Sequence, residues 1–273
     1  MNESYIPGYS LFSSFRRLAA TPKREEYTPG YSVDAMNFMA RRTLESHAQF
    51  LRPHLKAGLR LLDIGCGPGT ISIALAKAIA PGKVFAIDFE PSQIEAARRR
   101  AADSGIHNIE FQVGSVYSLP FKDAEFDCAF AHAVFEHLKE PVPALREIRR
   151  VLKPGGLIAL RSPDWSGFIV APETAELQNA ILRYTDLQTS NGGDIHVGGK
   201  FPALLRAAGL KTSAFSASYE CYEPPRLITE YLGQRLEAAN LTNEAEALRQ
   251  WSLNPDAIFA QAWCEIIGTR TMD

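Results

Sequence analysis

The densest group of residues with chemical potential is the run Leu62-Asp63-Ile64-Gly65-Cys66-Gly67-Pro68-Gly69-Thr70. Glycines that follow an apolar run let the backbone turn tightly and approach a ligand, and the helix that comes next offers its first N–H groups. Asp88 stands nineteen residues past Gly69, at the end of a second apolar run. There a carboxylate can accept both hydroxyls of a ribose. A dinucleotide fingerprint requires glycine at 65, 67 and 70. Here position 70 is threonine and the third glycine is 69, which argues against a dinucleotide.

Proton chemistry near neutral pH points to histidine. His137 suits a general base, with Asp164 placed to orient its ring; the alternative is a structural hydrogen bond. The ring of His132 divides between site wall and sheet packing, and His196 between substrate contact and plain loop. Cys66, Cys128, Cys221 and Cys264 are scattered with no C-x-x-C pair. They read as buried thiols of a reducing cytoplasm, not as a zinc or disulfide framework. No metal site is expected.

These residues need elements to position them. Residues 59–64, 83–88, 109–113, 126–131 and 157–161 are short apolar runs, read as strands. Residues 70–80, 91–104 and 142–152 carry helical spacing between them. Such alternation implies parallel crossovers with helices on both sheet faces. Val33 to Leu51 reads as helical, as do residues 173–187, 201–208 and most of 225–251. Residues 212–221 and 262–269 are two late strands. The expected fold is therefore α/β: a doubly wound, mostly parallel, seven-stranded Rossmann-like sheet with an antiparallel last strand and a helical cap. One domain is expected, with an N-terminal arm and helix over 1–58, a ligand-binding core over 59–162, and cap helices with the last two strands over 163–273. Pro-Gly-Tyr-Ser occurs at 7–10 and again at 29–32, which reads as shared turn chemistry.

The 273 residues include 29 basic and 31 acidic side chains, a formal net charge of −2, so no global positive field recruits nucleic acid or an anionic membrane. Hydrophobic residues at 46% exclude disorder as the dominant state. Neither a secretory signal nor a membrane-spanning run is read in the chain.

Asp63-Ile64-Gly65-Cys66-Gly67-Pro68-Gly69 and Ala86-Ile87-Asp88-Phe89 resemble the first two motifs of class I S-adenosylmethionine-dependent methyltransferases. The likeness is to the small-molecule type with a ubiquinone/menaquinone-methyltransferase-like core. Leu119-Pro120-Phe121, Phe126-Asp127, Phe135-Glu136-His137-Leu138 and Arg150-Val151-Leu152-Lys153-Pro154-Gly155-Gly156 are similar to the segments that follow. The resemblance implies that Gly65, Cys66, Gly67 and Gly69 wrap the methionine moiety of S-adenosylmethionine through their backbone. Asp63 would help to hold its amino group, directly or through water. Asp88 would take the ribose, with Phe89 and Gln93 flanking the adenine and His132 contributing mainly backbone. After the third strand the family places an acidic residue for the adenine amino group. Here the triplet is Gly114-Ser115-Val116, so Ser115, with Val116 beside it, offers a weaker neutral acceptor. Tyr27 and Tyr31 order the arm or meet a ligand; Tyr31 is assigned to the cofactor.

The implied reaction is metal-independent in-line transfer of a methyl group to O, N or C of a small-molecule acceptor, leaving S-adenosylhomocysteine. Tyr184, Tyr219, Tyr222, Tyr231 and Trp251 would supply aromatic area to the acceptor chamber. The competing expectation is a protein that keeps the fold and the cofactor but catalyses a cyclisation or rearrangement, or serves as a binding module.

Overall fold

The computed structural model describes residues 27–272; most of the N-terminal arm, including the first Pro-Gly-Tyr-Ser, lies outside the described residues. Strands β1 (Arg60–Ile64), β2 (Lys83–Asp88), β3 (Ile109–Val113), β4 (Phe126–His132), β5 (Leu152–Ala171), β6 (Leu210–Cys221) and β7 (Ile258–Arg270) form one sheet in the order β3-β2-β1-β4-β5-β7-β6. The first five pair in parallel, and β7 runs antiparallel to both β5 and β6. This is the doubly wound sheet expected, with the last strand of the chain inserted antiparallel before the edge.

The central strands β1, β2 and β4 are apolar because both their faces are covered, while the edge strands β3 and β6 are largely exposed. On one face lie α3 (Thr70–Ile79) and α4 (Pro91–Asp103), with Leu75, Ile79 and Ala97 fully buried. On the other lie α5 (Pro141–Val151) and α7 (Val197–Ala207), which bury Leu145, Ile148, Phe201 and Leu205. Full burial of one such Leu or Ile side chain contributes about 1.5–3 kcal/mol. A third cluster joins α6 (Ala175–Ser190), α8 (Arg226–Ala238) and α9 (Thr242–Trp251) through Tyr184, Leu232 and Leu248, and packs them on the far part of β5 and β7. No helix among the described residues is long and apolar enough to cross a membrane.

Three expected boundaries change, each for a local reason. The helix expected from Val33 to Leu51 is broken into α1 (Val33–Ala40), α2 (Leu44–His47) and a 3-10 segment, Gln49–His54. Thr43 restarts the chain there, since its side chain accepts the N–H of Ser46 in a capping box, and Pro53 lies inside the 3-10 segment. The stretch from 225 to 251 divides into α8 and α9, separated by Asn240 at φ +63°. β5 is far longer than residues 157–161. After leaving β4 at Arg161 it continues alongside β7 as far as Ala171, with a register shift between Asp164 and Phe168.

Strand order reverses between β1 and β4, which opens a crevice at their carboxyl ends, where ligands bind in sheets of this kind. Gly69 caps α3 at this edge with φ +80°, and a Cβ there would lie 2.8 Å from the Cβ of Ala97 on α4. The third glycine of the loop therefore serves helix packing. Gly69→Ala is expected to lower stability by about 2–5 kcal/mol, the sum of a left-handed backbone penalty and overpacking. Urea denaturation measures it, and a loss below about 0.5 kcal/mol would show that α3 moves away freely.

Candidate active site

The carboxyl ends of β1, β2 and β4 open into a cavity of about 980 Å³. Its floor is the loop after β1. Gly65 and Gly67 have φ of +69° and +51°, and the N–H groups of Gly65 and Cys66 both donate to the carbonyl of Ile87. Asp88 then fixes the loop from β2: one carboxylate oxygen accepts the N–H of Gly67 at 2.8 Å and the other that of Glu90 at 2.9 Å. Burial raises the Asp88 carboxyl above the usual carboxylate range, while the N–H groups of Glu90 and Gly67 oppose the shift.

Asp63 lies on the same floor, 2% exposed, and accepts a 2.5 Å hydrogen bond from the Ser72 hydroxyl of α3. Burial pushes it up to about 7, with the Ser72 bond opposing and nearby Asp88 adding a smaller rise. Gln93 of α4 is 1% exposed, yet neither its carboxamide oxygen nor its nitrogen has a partner among the described residues. A Cβ added at Gly67 would lie 3.9 Å from that oxygen, so the amide sits beside the glycine loop. Phe89, half exposed, lies at the cavity, as do Ser115 and Val116; the Ser115 hydroxyl accepts the N–H of Tyr117 at 3.3 Å.

The opposite wall comes from the flank before β1 and from the segment after β4. Tyr27, Tyr31, Met39 and Arg42 line it together with His132 and His137. Tyr27 stacks on Tyr31 at 5.1 Å, meets the ring of His137 edge-on at 4.7 Å, and points its hydroxyl at the Met39 sulfur. His132 is 5% exposed and accepts from Arg161 through Nε2 at 2.9 Å, with its ring 5.0 Å from that of Trp263. Burial, then Arg42 and Arg161, hold it neutral. Its ring is thus packed against the sheet while still bordering the cavity. Burial, and after it Arg42, push His137 down to about 3, so this imidazole too is neutral near pH 7.

Of the catalytic and cofactor residues assigned from the sequence, the structure brings all to this cavity except Gly69, which packs behind the loop, and Asp164; His196 and the expected chamber aromatics Tyr184, Tyr219, Tyr222, Tyr231 and Trp251 also lie outside its lining. Asp164 does not orient His137. Its carboxylate accepts the N–H of Gly199 in the first turn of α7 at 2.8 Å, the N–H and hydroxyl of Ser166, and faces His196 Nδ1 at 3.5 Å. Although burial raises it, these hydrogen bonds together hold Asp164 below the usual carboxylate range. The register shift in β5 carries Asp164 toward α7. Sequence reasoning missed Arg42, whose guanidinium has no hydrogen-bond or ion-pair partner among the described residues, and Met39, Lys139 and Glu140. Only its place next to the capping Thr43 marks Arg42 in the sequence. Among the described residues no group of three or more His, Cys, Asp or Glu is arranged to hold a metal ion.

A mostly parallel sheet with a left-handed glycine loop at its switch point and a carboxylate at the next strand end defines a Rossmann-like site for a nucleoside-containing ligand, here beside an aromatic chamber. The methyltransferase-domain family matches residues 55–201. Over 236 residues the chain is 30% identical to an uncharacterized methyltransferase of Schizosaccharomyces pombe, covering 81% of this chain and 83% of that one. It is 39% identical over 139 residues to an uncharacterized 37.1 kDa transposon protein of Streptomyces fradiae, covering 50% of this chain and 40% of that one. Among solved structures it superposes on the 4+2 cyclase SpnF with a TM-score of 0.55 at 22% identity, over 87% of this chain and 80% of the other; that likeness concerns the fold. The chain belongs to the methyltransferase-domain family; it is a methyltransferase, and S-adenosylmethionine is its cofactor. The residues present fit that group. Gln93 offers an unpartnered buried amide, Asp63 and Asp88 offer two carboxyls, and a side chain at Gly67 would occupy the approach.

Asp63 titrates near 7 in the folded chain and near 4 when unfolded. Its protonated native form contributes stability that is fully present below about pH 4 and lost as pH rises through about 7, on the order of 4 kcal/mol. Asp63→Asn, neutral at every pH, is expected to lose less stability than the parent between about pH 5 and about pH 8. Urea midpoints across that range test it, and parallel curves for the two chains would assign Asp63 an ordinary pKa.

Proposed function

We propose that this methyltransferase transfers the methyl group to an O, N or C atom of a small-molecule acceptor, without a metal, in the chamber beside the glycine loop. The observation that carries the reading is the single cavity of about 980 Å³ that joins the Asp63, Asp88 and Gln93 floor to the wall of Tyr27, Tyr31, Met39 and His137. That volume lies at the upper end of ordinary ligand pockets, enough for a cofactor and a small acceptor side by side. When bound, S-adenosylmethionine supplies a methyl carbon whose bond to sulfur breaks with its electron pair going to sulfur, giving S-adenosylhomocysteine.

The chain then has four tasks. The backbone of Gly65, Cys66 and Gly67 holds the methionine part and Asp63 takes its ammonium group. Asp88 accepts from the ribose hydroxyls while Phe89, Gln93, Ser115 and Val116 enclose the adenine, with Tyr31 closing the arm side and His132 contributing backbone. Tyr27 and Met39 exclude water and present polarizable surface to the dispersed positive charge of the transition state. His137, neutral and at the chamber wall, takes the proton of an O–H, N–H or acidic C–H acceptor.

Product analysis tests the whole reading: with the true acceptor, S-adenosylhomocysteine forms in proportion to methylated product. Conversion of an acceptor with no S-adenosylhomocysteine would replace methyl transfer by a cyclisation or rearrangement.

Two substitutions test the residues. Asp88→Ala is expected to weaken S-adenosylmethionine binding by about 10- to 150-fold, or about 1.5–3 kcal/mol, for loss of a charge-assisted contact. Calorimetry on the folded variant measures this, and an unchanged dissociation constant would leave Asp88 as a brace of the loop alone. His137→Ala should lower turnover by about 10²–10⁴-fold with cofactor affinity nearly constant. Lower thermal stability with turnover preserved would make His137 a structural residue.

A further inference from the structure

Arg42 stands directly before the Thr43 cap of α2, half-buried, in the partition between two cavities. On one side is the large chamber. On the other is a space of about 30 Å³, room for a water molecule, which Arg42 shares with His47, Glu220 and Trp263. One Glu220 oxygen meets His47 Nε2 at 3.2 Å; the second is buried without a hydrogen bond among the described residues, and Arg161 approaches it only at 3.8 Å. Behind Arg42, then, the neighbouring carboxylate borders a water-sized gap, and in front of it the chamber is open. A guanidinium carries five N–H donors in a planar fork and no acceptor, and those of Arg42 are unspent among the described residues.

The charge of Arg42 falls on the side of the chamber away from the glycine loop. Burial dominates the titration of His132, His137 and Tyr231, and Arg42 is the next influence on each. Asp63 answers to burial, Ser72 and Asp88, and Cys66 to burial, Asp63, Asp88 and its own backbone; Arg42 acts on neither. The cofactor's ammonium group goes to Asp63, and its carboxylate shares a carbon with that group, so the methionine end lies apart from Arg42. The other charges on this wall are accounted for. Glu136 is sealed behind His137, faces its Nε2 at 3.6 Å, accepts the Ser162 hydroxyl at 2.8 Å, and stands outside the cavity lining. Burial pushes its carboxyl up to about 7. Lys139 and Glu140 at the rim carry opposite charges.

We propose that the methyl acceptor is a small carboxylic acid and that Arg42 recognises it, the free N–H groups of the guanidinium donating to the acceptor's carboxylate. The inference rests on the acceptor chamber assigned above and deepens it by naming the substrate class. A planar fork on one wall matches the two oxygens of a carboxylate, which makes Arg42 a selector of planar acids over neutral molecules. Held in this way, the carboxylate has its lone pairs committed, and the atom that takes the methyl group lies elsewhere on the acceptor. Tyr27, Tyr31 and Met39 line the same wall and cover the uncharged remainder of the molecule. An anion here also complements the sulfonium of the cofactor across the chamber.

The experiment is one of binding and needs no turnover. The full chain, with and without saturating S-adenosylhomocysteine, is titrated calorimetrically with benzoate and cinnamate and with their neutral amides at pH 7. The expected result is that each acid binds about 10- to 150-fold more tightly than its amide. Arg42→Gln should erase that preference and leave the dissociation constant of S-adenosylhomocysteine within about threefold of the parent. Equal affinity for acid and amide, no saturable binding of either acid, or a preference that survives Arg42→Gln would each overturn the proposal. So would a loss of S-adenosylhomocysteine affinity of about 10-fold or more in Arg42→Gln with binding of methylthioadenosine, which lacks the amino-acid end, unchanged; Arg42 would then hold the cofactor's own carboxylate. Inorganic phosphate that displaces the acids at lower concentration than they bind would replace carboxylate by phosphate chemistry. Should Arg42→Gln fail to fold, Arg42→Lys, which keeps the charge and loses the fork, must weaken acid binding, and unchanged affinity overturns the proposal equally. Methyl transfer itself stands or falls separately, on S-adenosylhomocysteine formed with methylated product.

Discussion

Asp88 ties the end of β2 to the loop that leaves β1, with one carboxylate oxygen on the N–H of Gly67 and the other on that of Glu90. The loop can follow this path because residues 65, 67 and 69 all take positive φ, which only glycine adopts without strain. Much of the ligand edge depends on this brace. It sets where α3 begins, keeps the Gln93 amide beside Gly67, and leaves Asp63 beneath the loop with Ser72 as its hydrogen-bond donor. The glycines are therefore of two kinds. Gly67 leaves space toward the cavity, while Gly69 leaves space for Ala97 and Phe111 behind it.

The same burial that shapes the edge determines its charge. Desolvation disfavours the ionised form of any group, so acids rise and bases fall. Asp63 and Glu136 are pushed up to about 7, and His137 down to about 3. Much of the titratable machinery is thus close to neutral near pH 7. A positive charge brought against Asp63 or Asp88 favours the carboxylate, so the charge of a ligand and the protonation of the floor are linked. On the far wall Arg42 supplies the opposite field, adding to the lowering of His132 and His137.

That wall is assembled from distant parts of the chain. Phe38 of α1 stacks on Tyr231 of α8 at 4.2 Å, Gln234 of α8 donates to Asp34, and Arg235 to the Ser32 cap of α1. Beyond it His47 of α2 meets Glu220 of β6 at 3.2 Å. The helices before β1 are therefore held by the cap and by the late strands, and the aromatic side of the cavity depends on that contact. Tyr184, Tyr222 and Trp251, which the sequence suggests as chamber aromatics, are buried in the cap core, where the indole N–H of Trp251 donates to the carbonyl of Pro172. They support the wall from behind.

The sequence by itself determined the core of the sheet and its floor. Apolar runs bounded by glycine and proline, with helical spacing between them, are local signals, and β2 and β3 fall at the expected residues. The loop glycines, Asp63, Asp88 and Gln93 were legible because their spacing follows from the strand–loop–helix geometry that carries them. Tertiary structure decided what depends on long-range pairing. The continuation of β5 beyond Arg161 follows from β7 lying alongside it, a partner about a hundred residues further on. That pairing and its register shift place Asp164 against α7 and Gly199. Ser162, two residues earlier, meets Glu136 instead. Chain order could not tell which carboxyl faces His137, because the choice depends on the path of a strand after its parallel partner ends. Arg42 and Met39 were invisible for a similar reason: they carry no motif, and only the packing of α1 against α8 brings them to the cavity.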